Sequence, residues 1–253
     1  MKLVESIMKG NPCYTAGRKI TVRGLMLHSV GCPQPDASVF INSWNSPAHG
    51  SSCVHAFIDG NDGTAYQTLP WNHRGWHCGS GSRGSANNTH IGVEMCEPAC
   101  IRYTTGSKFT CSDTALAKAA VKRTYETAVE LFAMLCKKYS LDPLADGVII
   151  SHKEGCARGI ASNHGDPEHL WEQLGTGYTM DGFRKAVRAA VDRNRKPAGK
   201  AWYRVRKKRA DAASQKGAFQ DLSNARKCAD KNPGYSVFDE NGKAVYKGKS
   251  RRK

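Results

Sequence analysis

Two histidines and one aspartate, far apart in the chain, have the residue types of a metal-ligand set. His28 follows the apolar run 25–27, and His152 follows the apolar run 148–150 and one serine. Asp166 comes 14 positions after His152, in a segment that indicates a loop. Two imidazoles and one carboxylate are the usual protein share of a catalytic zinc site, which leaves the fourth position open for water. Zinc lowers the pKa of bound water toward neutrality, so the pattern predicts a zinc hydrolase.

Each of these residues also has an ordinary explanation. A single histidine at a strand end is more often structural or on the surface, and the chain has 9 His from which pairs can be drawn. Gly165-Asp166-Pro167 also indicates a turn, because Asp accepts local N–H groups and Pro fixes φ. The surrounding motifs favour the metal site.

Those motifs occur in an order that resembles one enzyme family. In chain order they are Leu27-His28-Ser29, His55-Ala56-Phe57-Ile58-Asp59, Trp76-His77-Cys78-Gly79, Ile91-Gly92-Val93-Glu94, Ser151-His152 and His164-Gly165-Asp166-Pro167. Over roughly residues 18 to 195 the chain resembles the zinc-dependent N-acetylmuramoyl-L-alanine amidases of the type-2 class. That family is similar in fold to the amidase-type phage lysozymes and the peptidoglycan recognition proteins.

The resemblance implies a role for each matched residue. The family's zinc ligands match His28, His152 and Asp166, so Zn²⁺ is the implied cofactor. Its catalytic acidic residue matches Glu94. Some members use a Tyr before the second motif's His instead, but Val54 stands there in this chain, so Glu94 is the only candidate base.

Four further positions are predicted to act on the substrate. Many family members have a Lys two residues before the third ligand, and this chain has His164 there, which is the second catalytic candidate. His55, Trp76 and His77 are predicted to bind the substrate.

The position of Glu94 suits a catalytic acid and base, and this argument does not depend on the resemblance to the family. Amide hydrolysis needs a base that takes a proton from water and an acid that gives one to the leaving amine, and one carboxyl group can do both in turn. Side chains alternate along a strand, so Ile91, Val93 and Met95 are predicted to face the core while Glu94 faces away from it. The alternative is an exposed strand carboxylate.

The pattern of elements predicts an α/β fold, with a central mixed β-sheet flanked by helices and a small α+β domain at the C-terminus. Predicted strands are 20–28, 54–58, 90–95 and 148–151. The longest helix is predicted to begin after Ser112 as N-cap and to end at Asp142-Pro143, and a final helix is predicted over 180–193. The Gly- and Ser-rich segment 79–88 is predicted to be a loop beside the substrate groove.

A change of composition divides the chain into predicted domains at 1–195 and 201–253, with a breaker-rich linker at 196–200. From Pro197 onward the chain has 16 Lys and Arg against 5 Asp and Glu, so most of the net charge of +16 lies there. Asn241-Gly242 indicates a β-hairpin. The segment is loosely similar to SPOR-type domains that bind peptidoglycan. An ordinary basic domain and a nucleic-acid-binding domain remain alternatives.

Composition limits the remaining possibilities. The chain has no run of 18 apolar residues, so no membrane span is predicted, and residues 1–10 do not indicate a secretory signal. The 10 Cys form no small-scaffold framework, which favours reduced thiols, and a second metal cluster at Cys96, Cys100 and Cys111 is the alternative.

The predicted function is a peptidoglycan amidase with a wall-binding domain, acting as an endolysin. We expect it to be made in the host cytoplasm and to act on the cell wall, with bacterial peptidoglycan as partner and no specific nucleic acid. The alternatives are a host autolysin and a non-catalytic peptidoglycan-binding protein; a nucleic-acid-binding protein is a third.

Overall fold

The computed structural model describes residues 1–193 and 202–249. The chain divides into two compact units, Met1–Asp192 and Arg193–Lys253. The predicted linker 196–200 lies outside the described residues, so the predicted domain boundaries stay a prediction.

The first unit contains a six-stranded mixed sheet. Its strands are β1 (Leu3–Glu5), β2 (Gly24–Ser29), β3 (Ala56–Ile58), β4 (Ala65–Gln67), β5 (His90–Met95) and β8 (Ile149–Ser151), and β6 (Ile101–Thr105) and β7 (Lys108–Cys111) form a separate hairpin. The strand order is β1-β4-β3-β5-β2-β8, and all neighbours are parallel except β3 and β4. The central mixed sheet is therefore as predicted.

Helices cover both faces of this sheet. They are α1 (Pro12–Thr15), α2 (Ala37–Trp44), α3 (Thr114–Tyr139), α4 (His152–Ala157), α5 (Glu168–Gln173) and α6 (Met180–Arg193). The main apolar core joins β2, β3 and β5 to α3 and α6, and the predicted inward residues Ile91, Val93 and Met95 belong to it. On the opposite face, Phe57 packs against Phe40 and Trp44 of α2. None of the helices in the described part of the chain is long and apolar enough to cross a membrane.

The long helix α3 begins and ends at other residues than predicted. Asp113, not Ser112, is the N-cap, because its Oδ1 accepts a hydrogen bond from the Leu116 N–H (2.9 Å). The Ser112 hydroxyl donates instead to the Cys100 carbonyl. The helix ends at Tyr139 because Ser140 is left-handed (φ 54°), so the chain has already turned before Pro143.

Three predicted strands are shorter than expected at their N-terminal ends, β2 by four residues, β3 by two and β8 by Val148 alone. β2 begins only at Gly24, so residues 20–23 lie outside it. The adjoining Lys19 forms an isolated bridge with His73 instead of pairing with a strand of the sheet. β3 begins only at Ala56, so Val54 and His55 lie outside it. Here Cys53 forms an isolated bridge with Trp76. Segment 79–88 is a loop as predicted, apart from a single 3₁₀ turn at Ala86–Asn88.

The second unit contains β9 (Tyr203–Arg206), β10 (Gly217–Phe219), α7 (Leu222–Lys231), β11 (Ser236–Phe238) and β12 (Ala244–Lys247). The antiparallel sheet has the order β10-β9-β11-β12. Val205, Val237, Ala225 and Ala229 join this sheet to α7 in a small core. The hairpin around Gly242 is as predicted, and Asp221 caps the N-terminus of α7.

Candidate metal centre and active site

The three predicted metal ligands lie together at one edge of the sheet. His28 is the fifth residue of β2, and Glu94 lies opposite it on β5. His152 is the first residue of α4, which follows β8 directly and is started by a capping box between Ser151 and Glu154. Because β2, β5 and β8 are parallel, their carboxyl ends meet at the same edge. That edge is where α/β sheets usually place their binding sites.

The donor atoms of the three residues converge. His28 Nδ1 lies 3.1 Å from His152 Nδ1 and 3.2 Å from Asp166 Oδ2. Asp166 Oδ1 lies 3.5 Å from His152 Nδ1, and all three residues are buried. The backbone N–H of Ser29 donates to Asp166 Oδ2 (3.4 Å), which fixes the carboxylate against β2.

Hydrogen bonds outside this cluster assign the histidine protons. The His77 Nε2–H donates to the His90 carbonyl (3.2 Å), so His77 Nδ1 is an acceptor. It accepts from His28 Nε2–H (3.0 Å), which leaves a lone pair on His28 Nδ1. In the same way Ser162 Oγ donates to the Cys78 carbonyl and accepts from His152 Nε2–H (3.2 Å), which leaves a lone pair on His152 Nδ1.

Two nitrogen lone pairs and a carboxylate therefore face one point. Such a donor set is electron-rich and needs a cation at its centre, and fixed outer hydrogen bonds of this kind orient histidine ligands in metalloproteins. Burial opposes a positive charge on His28, but the adjacent Asp166 carboxylate and the charge of Glu94 raise the pKa of His28. Burial and the neighbouring His28 lower the pKa of His152 to about 4, which keeps that ring neutral. The residues fit a metal ion.

Glu94 lies beside this cluster in a cavity of about 600 Å³. Burial raises the pKa of its carboxyl group to about 8. Its Oε2 is buried and, within residues 1–193 and 202–249, has no hydrogen-bond partner. An unpartnered carboxyl oxygen in an open cavity can exchange a proton with a bound water or substrate.

The cavity has three walls. Segment 76–79 forms one, segment 162–166 forms another, and Tyr103, Gly106 and Ser107 of the β6–β7 hairpin form the third. The substrate-binding candidates Trp76 and His77 line it. His164 lines it too, is exposed, and stacks on the His152 ring with centroids 4.5 Å apart.

His55 is placed differently from the substrate contact expected of it. It is completely buried, its Nδ1 accepts from the Gly92 N–H and its Nε2–H donates to the His73 carbonyl. Burial lowers the pKa of His55 to about 4, in agreement with a neutral ring. With both nitrogens engaged, His55 links two backbone segments behind the cavity and does not line it.

A second hydrogen-bonded group beside the cavity was not predicted. The Tyr103 hydroxyl donates to Glu97 Oε2 (2.7 Å) and accepts from His169 Nε2–H (2.6 Å). Glu97 Oε1 accepts from the Gly31 N–H (3.1 Å), and burial raises the pKa of Glu97 to about 7. Glu97 and His169 each follow a predicted site residue, Glu94 or Asp166, by three positions, but this spacing does not by itself predict a contact with Tyr103.

The cysteines form no second metal site. Cys96 is buried in the apolar cluster of Phe57 and Ala37, whereas Cys100 and Cys111 lie at the base of the β6–β7 hairpin. All 10 Cys are free thiols, and in the described residues the metal-ligand grouping is that of His28, His152 and Asp166.

Comparison with known proteins gives a family match and several partial relatives. A family model described as N-acetylmuramoyl-L-alanine amidase matches residues 17–169. The N-acetylmuramoyl-L-alanine amidase CwlH of Bacillus subtilis is 46% identical over 49 residues, which are 19% of this chain and 19% of CwlH. XlyA of the same organism, also an N-acetylmuramoyl-L-alanine amidase, is 39% identical over 80 residues, 32% of this chain and 25% of XlyA. The matched segments thus span a quarter or less of these relatives.

The fold is also similar to solved structures. The crystal structure of the Staphylococcus aureus hydrolase AmiA in complex with its ligand superposes with a TM-score of 0.54 at 18% identity. The superposition covers 76% of this chain and 83% of that chain. At this identity the similarity establishes the fold alone.

Proposed function

Because this chain belongs to the N-acetylmuramoyl-L-alanine amidase family, we propose that it hydrolyses the amide bond between N-acetylmuramic acid and the L-alanine of the peptidoglycan stem peptide. The observation that carries the proposal is the convergence of two histidine lone pairs and Asp166 beside the unpartnered oxygen of Glu94. A binding protein without catalytic activity would have no need of this combination.

We propose zinc as the metal held by His28 Nδ1, His152 Nδ1 and Asp166. Two imidazoles and a carboxylate are a common ligand set of catalytic zinc. Bound there, zinc would supply the Lewis acidity that activates water and polarises the amide carbonyl.

The protein residues handle the protons. In its ionised form Glu94, held opposite His28 by the β2–β5 register, takes a proton from the attacking water and then gives it to the amine of the leaving L-alanine. His77 and Ser162 hold the two ligand imidazoles by their Nε2 protons, so the ring orientations do not change during the reaction. Trp76 and the hairpin residue Tyr103 bound the space in which the substrate lies.

We further propose that the second unit attaches the enzyme to the cell wall and that the protein acts there as an endolysin made in a host cytoplasm. The cationic segment from Pro197 onward supports wall attraction, because bacterial walls carry many carboxylates and phosphates. A host autolysin would have the same chemistry.

The test is hydrolysis of a soluble muramyl peptide by the purified protein. We expect a new free amine on alanine, loss of the reaction after chelation, and its return on adding zinc. Release of reducing sugar ends from intact cell walls, without a free alanine amine from either substrate, would instead identify a glycosidase and contradict the proposal.

A further inference from the structure

A second cavity adjoins the first and has a different chemical character. It has a volume of about 240 Å³ and is lined by Pro12, Cys13, Ala16, Arg18, Ser51 and Arg74. Two features connect it to the site cavity. Ser51 lines the second cavity while the next residue, Ser52, lines the first. The Arg74 guanidinium lies 5.0 Å from the ring centroid of Trp76, which lines the first. Trp76 and Arg74 therefore bring the linings of the two cavities into contact.

The backbone holds the two arginines of this cavity side by side. The Arg74 N–H donates to the Arg18 carbonyl (2.8 Å), and Arg74 Nε donates to Asn88 Oδ1 (2.8 Å). Across residues 1–193 and 202–249, neither guanidinium forms an ion pair with a carboxylate. Arg158, Arg184 and Arg188, in contrast, each pair with a carboxylate.

The uncompensated charge acts on neighbouring groups. A hydrogen bond with Cys53, and then the charges of Arg74 and Arg18, lower the pKa of the Cys13 thiol. Burial and Arg18 lower the pKa of Arg74 itself. The cavity is thus a small positive region whose lining residue Arg74 contacts Trp76 of the site cavity.

We propose that this cavity is a binding subsite for a carboxylate of the substrate's stem peptide. The inference rests on the proposed amidase function, because that reaction places the stem peptide next to the cleaved bond. Stem peptides carry free carboxylates, whereas the glycan strand offers the arginines mainly neutral hydroxyl groups. Guanidinium groups bind carboxylates through charge-assisted, often paired, hydrogen bonds. Arg18 and Arg74 would then select substrates by the charge of the peptide.

The experiment compares two soluble muramyl peptides of the same length, one with free carboxylates and one with those carboxylates amidated. For the wild-type enzyme we expect kcat/KM to be about tenfold higher for the free acid, the order of one charge-assisted contact, with the difference mainly in KM. Arg18→Gln and Arg74→Gln should each reduce that preference severalfold. Lys122→Gln removes one charge from α3, far along the chain from both cavities, and should keep the preference.

Arg74→Lys separates charge from shape. It retains the positive charge but not the planar fork, so we expect a preference between those of wild type and Arg74→Gln. A wild-type enzyme that cleaves acid and amide equally well, or an Arg18→Gln variant with the full preference, would overturn the subsite and leave the amidase function intact. Failure of the wild-type, zinc-loaded enzyme to cleave either peptide would overturn both.

Discussion

At the scale of residues, the direction of each histidine decides what the site can bind. His28 and His152 use Nε2–H for protein contacts and present Nδ1 to the centre. A flipped ring would present a proton there and repel a cation. His77 and Ser162 therefore support the metal site by fixing the orientation of its two histidine ligands.

Replacing one ligand should dismantle the site. In His152→Ala the centre retains only His28 and Asp166, so we expect zinc content and amidase activity to be lost together. Elemental analysis after dialysis measures the first and hydrolysis of a muramyl peptide the second. A variant that still holds one equivalent of zinc would show that His152 is not a ligand.

Glu94→Gln should separate metal binding from proton transfer. The amide keeps the size of the side chain but cannot act as a base, so kcat should fall by roughly 10² or more while zinc content stays near one equivalent. Near-normal turnover would assign proton transfer to another group in the cavity, and His164 would be tested next.

At the scale of elements, strand β5 holds both a catalytic candidate and a support of the metal site. A Cβ at Gly92 would lie 2.3 Å from His77 Cγ, so only glycine lets the His77 ring stand against this strand. The strand thus positions Glu94 directly and His28 through His77.

Gly92→Ala should therefore weaken zinc binding without touching a ligand. We expect the displaced His77 ring to cost 10–100-fold in zinc affinity, as the loss of an outer-sphere partner usually does, measured by competition with a chromogenic chelator. In a His77→Ala background the same change should cost little more, because the ring it displaces is gone. Gly182→Ala, in the first turn of α6, is the matched control.

The sequence predicted those parts of the site that depend on a single element. His28, His152 and Glu94 were predicted from motifs that resemble those of the amidase family, and their places at strand ends and in the alternation along β5 agree with that assignment. The contact of Tyr103 with Glu97 and His169 depends on how the β6–β7 hairpin and α5 pack, which no local pattern contains. The two bonds of His55 likewise join segments that only the folded sheet brings together.

The hairpin contact has a consequence for stability. In the folded protein burial raises the pKa of Glu97 from 4.5 to about 7, so the folded state binds more protons than the unfolded state between these values. The contribution of Glu97 to the free energy of unfolding is complete below pH 4.5 and is lost as pH rises through 7. Each unit of difference between the two pKa values corresponds to about 1.4 kcal/mol.

Glu97→Gln should remove this part of the pH dependence. We expect the metal-free wild type to lose stability between about pH 5 and pH 8 more steeply than the metal-free variant, as measured by urea unfolding at each pH. The variant's overall stability is not the readout, because the amide also changes the hydrogen bond with Tyr103. Parallel curves would show that Glu97 does not titrate in this range.

At the scale of the whole molecule, the two units carry different predicted tasks. Every proposed ligand and both core helices α3 and α6 lie before residue 194, and the second unit has its own small core. The cationic unit would raise the local concentration of enzyme at a polymeric substrate.

Truncation after about Pro197 should separate these tasks. We expect the remaining chain to bind zinc and to cleave soluble muramyl peptides, but to clear intact cell walls more slowly. Wall binding by the full chain should weaken with added salt, since exposed charges are screened beyond about 8 Å at physiological ionic strength. Equal clearing by the truncated and full chains would contradict the wall-binding proposal.

The position of β2 in the sheet also bears on how the chain acquires activity during synthesis. β2 pairs with β5 and with β8. β2, near residue 25, therefore cannot complete its pairing until β8, near residue 150, has been synthesised. Pairings between distant segments form slowly, because a long loop must close first. A ribosome-bound chain from which Asp166 has not yet emerged has an incomplete set of metal ligands at the edge of the sheet. Amidase activity would thus appear only once the catalytic unit is almost fully translated.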